Sequence, residues 1–206
     1  MQAQVFSRLK KLSYLFAVSL FMLLIAGCGT LYVDGGLPEV PSDKFKVAAR
    51  PHPVQLLYEF QTKGAVNSVA AEQTRAIALE AVKRTGLFSE ISTAPVTDGA
   101  VLSIIINNVP LTDDAAAKGF VTGLTFGVVG NQVTDGYLCT VEYLPSAKAP
   151  KITKTVRHAI HTTVGAKGAP EKSIPAASAR DAVEMMVRQA VSNLLDAVAS
   201  DAAFKG

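Results

Sequence analysis

Between Ala182 and Val198 the chain repeats a pair of apolar residues every four positions: Ala182/Val183, Met186/Val187, Ala190/Val191, Leu194/Leu195 and then Val198. A doubled stripe of this kind covers a broad face of one helix and needs a packing layer along its whole length. Asp181, Glu184, Arg188, Asn193 and Asp196 take other positions. Ser178 is placed to cap the helix, with Asp181 three residues on in a box-like arrangement, and Pro175 lies near the start. The Met185-Met186 pair within the stripe reads as core rather than as a cofactor pocket.

The covering layer is predicted to be a sheet. Tyr137, Cys139, Val141 and Tyr143 alternate with Leu138, Thr140, Glu142 and Leu144. After a loop carrying Pro145 and Pro150, Ile152, Val156, Ile160 and Val164 alternate with Thr153, Thr155, Arg157, His161 and Thr163. That pattern is an antiparallel hairpin with one wet face. Val101-Leu102-Ser103-Ile104-Ile105-Ile106 lacks strict alternation, which places it centrally, and the turn Asp98-Gly99 precedes it. Val54 to Phe60 is a further strand followed by a turn at Lys63-Gly64, and Phe88 to Ile91 a short edge strand.

Between these runs, Val66, Val69, Ala70, Ala76, Ile77, Leu79 and Val82 recur at helical spacing. Asn67 or Ser68 can cap the helix, and Gly86 stands where a left-handed residue ends one, after Lys83 and Arg84. The predicted fold is a two-layer α+β sandwich of order β-α-β-β-β-α, an antiparallel-rich sheet with two helices on one face, forming a single domain over residues 54–206.

The N-terminal region is of another kind. Arg8, Lys10 and Lys11 precede an uncharged apolar run from Leu12 to Ala26, which is shorter than the roughly 20 residues that span a bilayer as a helix. It reads as a secretory signal over residues 1–27. Ile25-Ala26-Gly27-Cys28 resembles the lipobox of bacterial lipoproteins. That resemblance implies a diacylglyceryl thioether on Cys28, cleavage before it and acylation of the new amine. Gly29 in place of Asp implies retention at the outer membrane, on its periplasmic face, rather than at the inner membrane. Several acyl chains on one residue anchor durably, whereas one holds only reversibly.

Removal of residues 1–27 takes three cations with it, so the formal charge of +3 falls to zero in the mature chain. No polybasic footprint for nucleic acid survives. With Cys28 acylated, Cys139 has no partner for a disulfide and reads as a buried core residue. Residues 28–53, with Gly35-Gly36, Pro38, Pro41 and Arg50-Pro51-His52-Pro53, read as a flexible tether with a reach of about 25 Å.

The layout from Val54 to Ser200, with the phrase Thr85-Gly86-Leu87-Phe88, resembles small periplasmic lipoproteins. These include the lipopolysaccharide-assembly lipoprotein, the auxiliary lipoproteins of ABC transporters, the curli-secretion lipoprotein and penicillin-binding-protein activators. Only Cys28 inherits a role from these resemblances.

Residues 115–136 form an apolar insertion too long for an ordinary connection between strands. Gly119, Gly123 and Gly127 repeat every four residues, with Gly130 close behind and Phe120, Leu124, Phe126 and Val128 between. As a helix this spacing would let another backbone approach closely. Three readings stand: a flap over the open end of the domain, a segment contacting membrane or partner in a homo-oligomer, and a small-ligand lid. The spacing matches neither a P-loop nor a dinucleotide-binding turn.

No catalytic constellation is present. His158 and His161 differ by three and so fall on opposite faces of a strand, which denies them a shared metal unless the strand bulges. His52 lies between prolines, Asp113-Asp114 reads as a solvated loop pair, and tryptophan is absent. The expectation is a non-enzymatic protein without metal or cofactor that binds or assembles an envelope partner. Its alternatives are a membrane-inserting structural subunit and a carrier of lipid or a small ligand.

Overall fold

Among the described residues, one open mixed sheet of eight strands carries two α-helices on one face. The structure is a computed structural model that describes residues 29–47, 51–96, 100–110, 132–146, 148–163 and 168–204. In chain order the elements are β1 (Thr30–Asp34), β2 (Val54–Thr62), β3 (Ala65–Val66), α1 (Ser68–Arg84), β4 (Ile91–Ser92), β5 (Ala100–Pro110), β6 (Gln132–Leu144), β7 (Ile152–Thr163), β8 (Ser173–Ala176) and α2 (Ala179–Ala199). The strand order is β3-β2-β5-β6-β7-β1-β8, with β4 beside β2. β2 runs parallel to β4 and β5, and the other neighbours are antiparallel.

The core lies between sheet and helices. Leu56 of β2, Leu102, Ile104 and Ile106 of β5 and Cys139, Val141 and Tyr143 of β6 meet Ala78 and Val82 of α1 and Met186, Leu194 and Leu195 of α2. The Leu, Ile, Val and Met side chains among them contribute roughly 1.5–3 kcal/mol each on burial. β5 sits between β2 and β6, as expected for a run rich in apolar residues without strict alternation. The predicted pair of strands is β6–β7, in register from Gln132↔Thr163 to Tyr143↔Ile152.

Local signals set the ends of these elements. Lys63 and Gly64 both take positive φ, 55° and 80°, in the two-residue turn between β2 and β3. The Asn67 side chain accepts from Ala70 N–H at 3.0 Å to cap α1, and Gly86 follows the helix at φ 66°. The Ser178 side chain accepts from Asp181 N–H at 3.1 Å, while Asp181 accepts from Ala177 N–H at 2.9 Å. Asn67 N–H donates to the Phe60 carbonyl at the end of β2, so α1 starts there and returns antiparallel to β2. α2 starts after β8 and ends where Lys154 of β7 meets Asp201. The two helices therefore run the same way.

Four expectations are corrected. The region read as a tether is structured where described. β1 lies between β7 and β8 with Val33 fully buried, and residues 38–45 form a strap over the helices. Asn193 donates to the Pro38 carbonyl at 2.7 Å, Val40 N–H donates to Ser192 Oγ at 3.0 Å, and Phe45 is buried. Gly35-Gly36 marks a close backbone approach there rather than a flexible joint, since a Cβ at Gly35 would lie 1.9 Å from the Lys172 carbonyl oxygen. Second, residues 132–136 of the supposed insertion belong to β6. Third, Pro175 belongs to an edge strand, β8, whose position at the sheet margin tolerates a residue without an N–H. Fourth, the short strand after α1 is Ile91–Ser92 alone, with Phe88 packed into the core instead.

Candidate functional site

Cys28 lies outside the described residues, and so do Gly119, Phe120, Gly123, Leu124, Phe126 and Gly127. The same is true of Asp98-Gly99, Asp113-Asp114 and Val164. The structure does describe where the chain leaves for these segments. Thr30, the first residue of β1, stands opposite Thr163, the last of β7, and Thr163 stands opposite Gln132, the first of β6. Pro110, the last residue of β5, faces Asp135 of β6, which in turn faces Ile160 and then Val33. The chain next to Cys28 and both flanks of 111–131 thus share one rim of the sheet. On the strands flanking the β7–β1 pair, Val133 of β6 and Ile174 of β8 are 53% and 37% exposed.

Below this rim lies a polar cluster on the face away from the helices. Tyr32 faces His161, and His161 faces Thr134. Thr134 Oγ1 is 2.9 Å from His161 Nδ1, and Asp34 Oδ2 is 3.7 Å from His161 Nε2. Gly36 N–H donates to Asp34 Oδ1 at 2.7 Å. Burial raises the Asp34 pKa, but its contact with His161 and the Gly36 N–H outweigh that, leaving the carboxyl below its ordinary range. A hydroxyl, an imidazole and a carboxylate in sequence invite comparison with a nucleophilic triad. Here Thr134 and His161 are 8% and 2% exposed, and the order is that of a tie joining β1 to β6 and β7. The face expected to be wet is thus dry at His161 and Thr163.

His158 occupies the opposite, helix-facing side, as its spacing from His161 requires. Ala159 N–H donates to His158 Nδ1 at 2.8 Å, so Nε2 carries the proton and donates to Gln189 Oε1 at 2.7 Å. Burial holds this histidine below its ordinary pKa. Gln189, Asp34 and Thr134 were not distinguished by sequence pattern. The one available signal is that Gln189 follows Met186 by three residues and so sits on the buried side of the stripe.

At the far end of the sheet, His52 Nε2 is 2.7 Å from Tyr143 Oη, within a cluster formed with Phe88 and Phe204. This histidine is a packing residue of the aromatic cluster. Cys139 is free and fully buried, and burial pushes its thiol up to about 12. Among the described residues no three His, Cys, Asp or Glu side chains are grouped to hold a metal, and no helix is long and apolar enough to cross a membrane. A groove of about 400 Å³ opens outward between the helices, lined by Gln73, Thr74, Ile77, Arg180, Val183 and Glu184. It does not lie between helix and sheet, where a carrier of apolar ligand would hold its cargo.

No protein-family model matches the chain, and no curated protein matches it significantly. Among solved structures, a point variant of the PelC dodecamer from Paraburkholderia phytofirmans aligns at 13% identity and a TM-score of 0.36, covering 82% of this chain and 95% of that one. The rare lipoprotein B from Shewanella oneidensis aligns at 17% identity and a TM-score of 0.36, covering 72% of this chain and 95% of that one. No residue role is carried over from either.

Proposed function

We propose that this chain is a non-enzymatic lipoprotein of the bacterial envelope, held on the periplasmic face of the outer membrane by acylated Cys28, and that its domain binds or assembles an envelope partner. The observation that carries the reading is the position of β1. Cleavage before Cys28 removes the apolar leader yet leaves every described strand and helix, since β1 begins at Thr30. An anchor at that residue joins a complete domain to lipid.

The test is to replace the anchoring sulfur. Cys28→Ser is expected to leave the carbonate-washed membrane pellet and appear in the soluble fraction, and a variant that stays in the pellet refutes the anchor. Crosslinking from intact membranes followed by purification should recover a partner, and a chain always recovered alone refutes the binding role.

A second reading is favoured by the shared rim. Residues 111–131 leave β5 and return into β6 at the end where β1 begins, which suits a structural subunit that contacts membrane or its own copies through Gly119 to Gly130. Deleting 115–131 should then abolish detergent-resistant oligomers, and unchanged assembly dismisses this reading.

A further inference from the structure

A tether of some twenty-five residues would hold a domain clear of the headgroups, but only Gly29 separates Cys28 from the sheet. Gly29 itself lies at the strand end, where a Cβ would stand 3.5 Å from Thr162 Cγ2 and 3.6 Å from the Thr163 carbonyl oxygen. Extended chain covers at most about 3.5 Å per residue, so Thr30 lies within about 7 Å of the Cys28 Cα. The polar headgroup zone on each side of a bilayer is itself about 5–7 Å thick. No slack remains to lift this rim out of that zone.

We propose that the acylated protein is seated on the bilayer surface through the rim formed by the start of β1, the start of β6 and the ends of β7 and β8, with the lipid headgroups as its occupant. The inference rests on the reading of Cys28 as acylated. The exposed apolar side chains near the exit suit that occupant. Val133 is level with Thr162 and Leu31, about 10 Å away across two strand spacings, and Ile174 is level with Val33 on the other side. Thr30, exposed beside them, offers a hydroxyl to the headgroup layer. β7 spans 12 residues from this rim to Ile152, about 40 Å at strand rise, so the loop at Ser146 and Lys148 stands far from the lipid. The protein on this account has one fixed attitude, with its aromatic end pointing into the periplasm.

The test uses the full acylated chain in phosphatidylethanolamine/phosphatidylglycerol vesicles carrying headgroup-attached quenchers. An environment-sensitive fluorophore is placed by Val133→Cys, Ile174→Cys, Ser146→Cys or Lys148→Cys, one site at a time. All four positions are exposed, and Cys139 is buried from the reagent. Quenching is expected to be several-fold stronger at 133 and 174 than at 146 and 148. Ten Gly/Ser residues inserted between Gly29 and Thr30, with a reach of about 17 Å, should reduce that difference at least twofold. Equal quenching at both ends of the uninserted protein, or stronger quenching at 146 and 148, overturns the seat. The mass of the N-terminal peptide separates the two failures. A chain without acyl groups overturns the anchor, whereas an acylated chain without differential quenching overturns the seat alone.

Discussion

Gly35 stands against the carbonyl of Lys172, where a Cβ would come within 1.9 Å of the oxygen. The contact locks the turn after β1 to the residue that leads into β8. Since the obstacle is backbone, it cannot swing aside. Gly35→Ala is expected to cost about 3 kcal/mol through overpacking, seen as a lower midpoint in urea unfolding. Gly64, at φ 80° with nothing within 4 Å of a Cβ, is the contrast. There Gly64→Asn should cost only about 1 kcal/mol, because the strain is that of the left-handed backbone alone and Asn is among the residues that visit it. Equal losses at the two sites would refute the steric account.

A chain beginning at Leu37 should be markedly less stable than one beginning at Thr30. It loses β1 from between β7 and β8, and with it fully buried Val33, whose side chain alone contributes roughly 1.5–3 kcal/mol. Urea unfolding of the two soluble chains should show a loss of at least about 3 kcal/mol. Matching midpoints would return residues 29–36 to the role of a loose linker.

Stability should fall as the medium is acidified through the histidine range. Burial holds His158 below its ordinary value of 6.5, so the unfolded chain takes up its proton at a higher pH than the folded one. The contribution is complete above that value and is lost as pH drops toward the depressed folded one. Asp34, also lowered, adds a second loss below the ordinary carboxylate value of 3.8. Gln189→Leu leaves the Nε2 proton without its acceptor and should cost about 1–3 kcal/mol. The double variant His158→Leu/Gln189→Leu should reduce the slope below the ordinary histidine value of 6.5, leaving the share of His52, which burial also holds low. A slope unchanged in the double variant would assign it to other groups.

In the Cys28→Ser protein the one remaining thiol should be inert. Cys139 is fully buried and its thiol is pushed up to about 12, so thiolate is scarce and unreachable at about pH 8. Reaction with a coloured disulfide reagent should track global unfolding in urea. Rapid labelling in buffer would show that β6 opens locally.

Periodicity made the sandwich legible wherever one face is continuously buried. The paired stripe of α2 and the alternation Tyr137, Cys139, Val141, Tyr143 each name their buried face without help from the rest of the chain. β1 was hidden because its five residues put one fully buried side chain, Val33, into the core and are followed by two glycines and two prolines, the composition of a linker. Its partners, β7 and β8, lie more than a hundred residues away, so no local pattern announces the pairing. β8 was hidden by Pro175, which a central strand would reject and an edge accepts. The tie of Asp34, His161 and Thr134 inherits this difficulty, since it exists only once β1 has been placed beside β7. The reading of Cys28 rests on its neighbours in sequence alone, as covalent processing signals are recognised in extended chain rather than in a fold.

Two helices that start at one end give the domain an electrical polarity of its own. Each aligned backbone carries roughly half a positive charge at its beginning and half a negative at its finish. A sheet adds little, and Asp181 in the first turn of α2 offsets only part. Such a body turns in a field even where its formal charges cancel, and a negatively charged surface draws the end holding the helix starts before any atom touches. Because that bias resides in peptide groups, exchanging surface side chains cannot erase it, and added salt would only shorten its range.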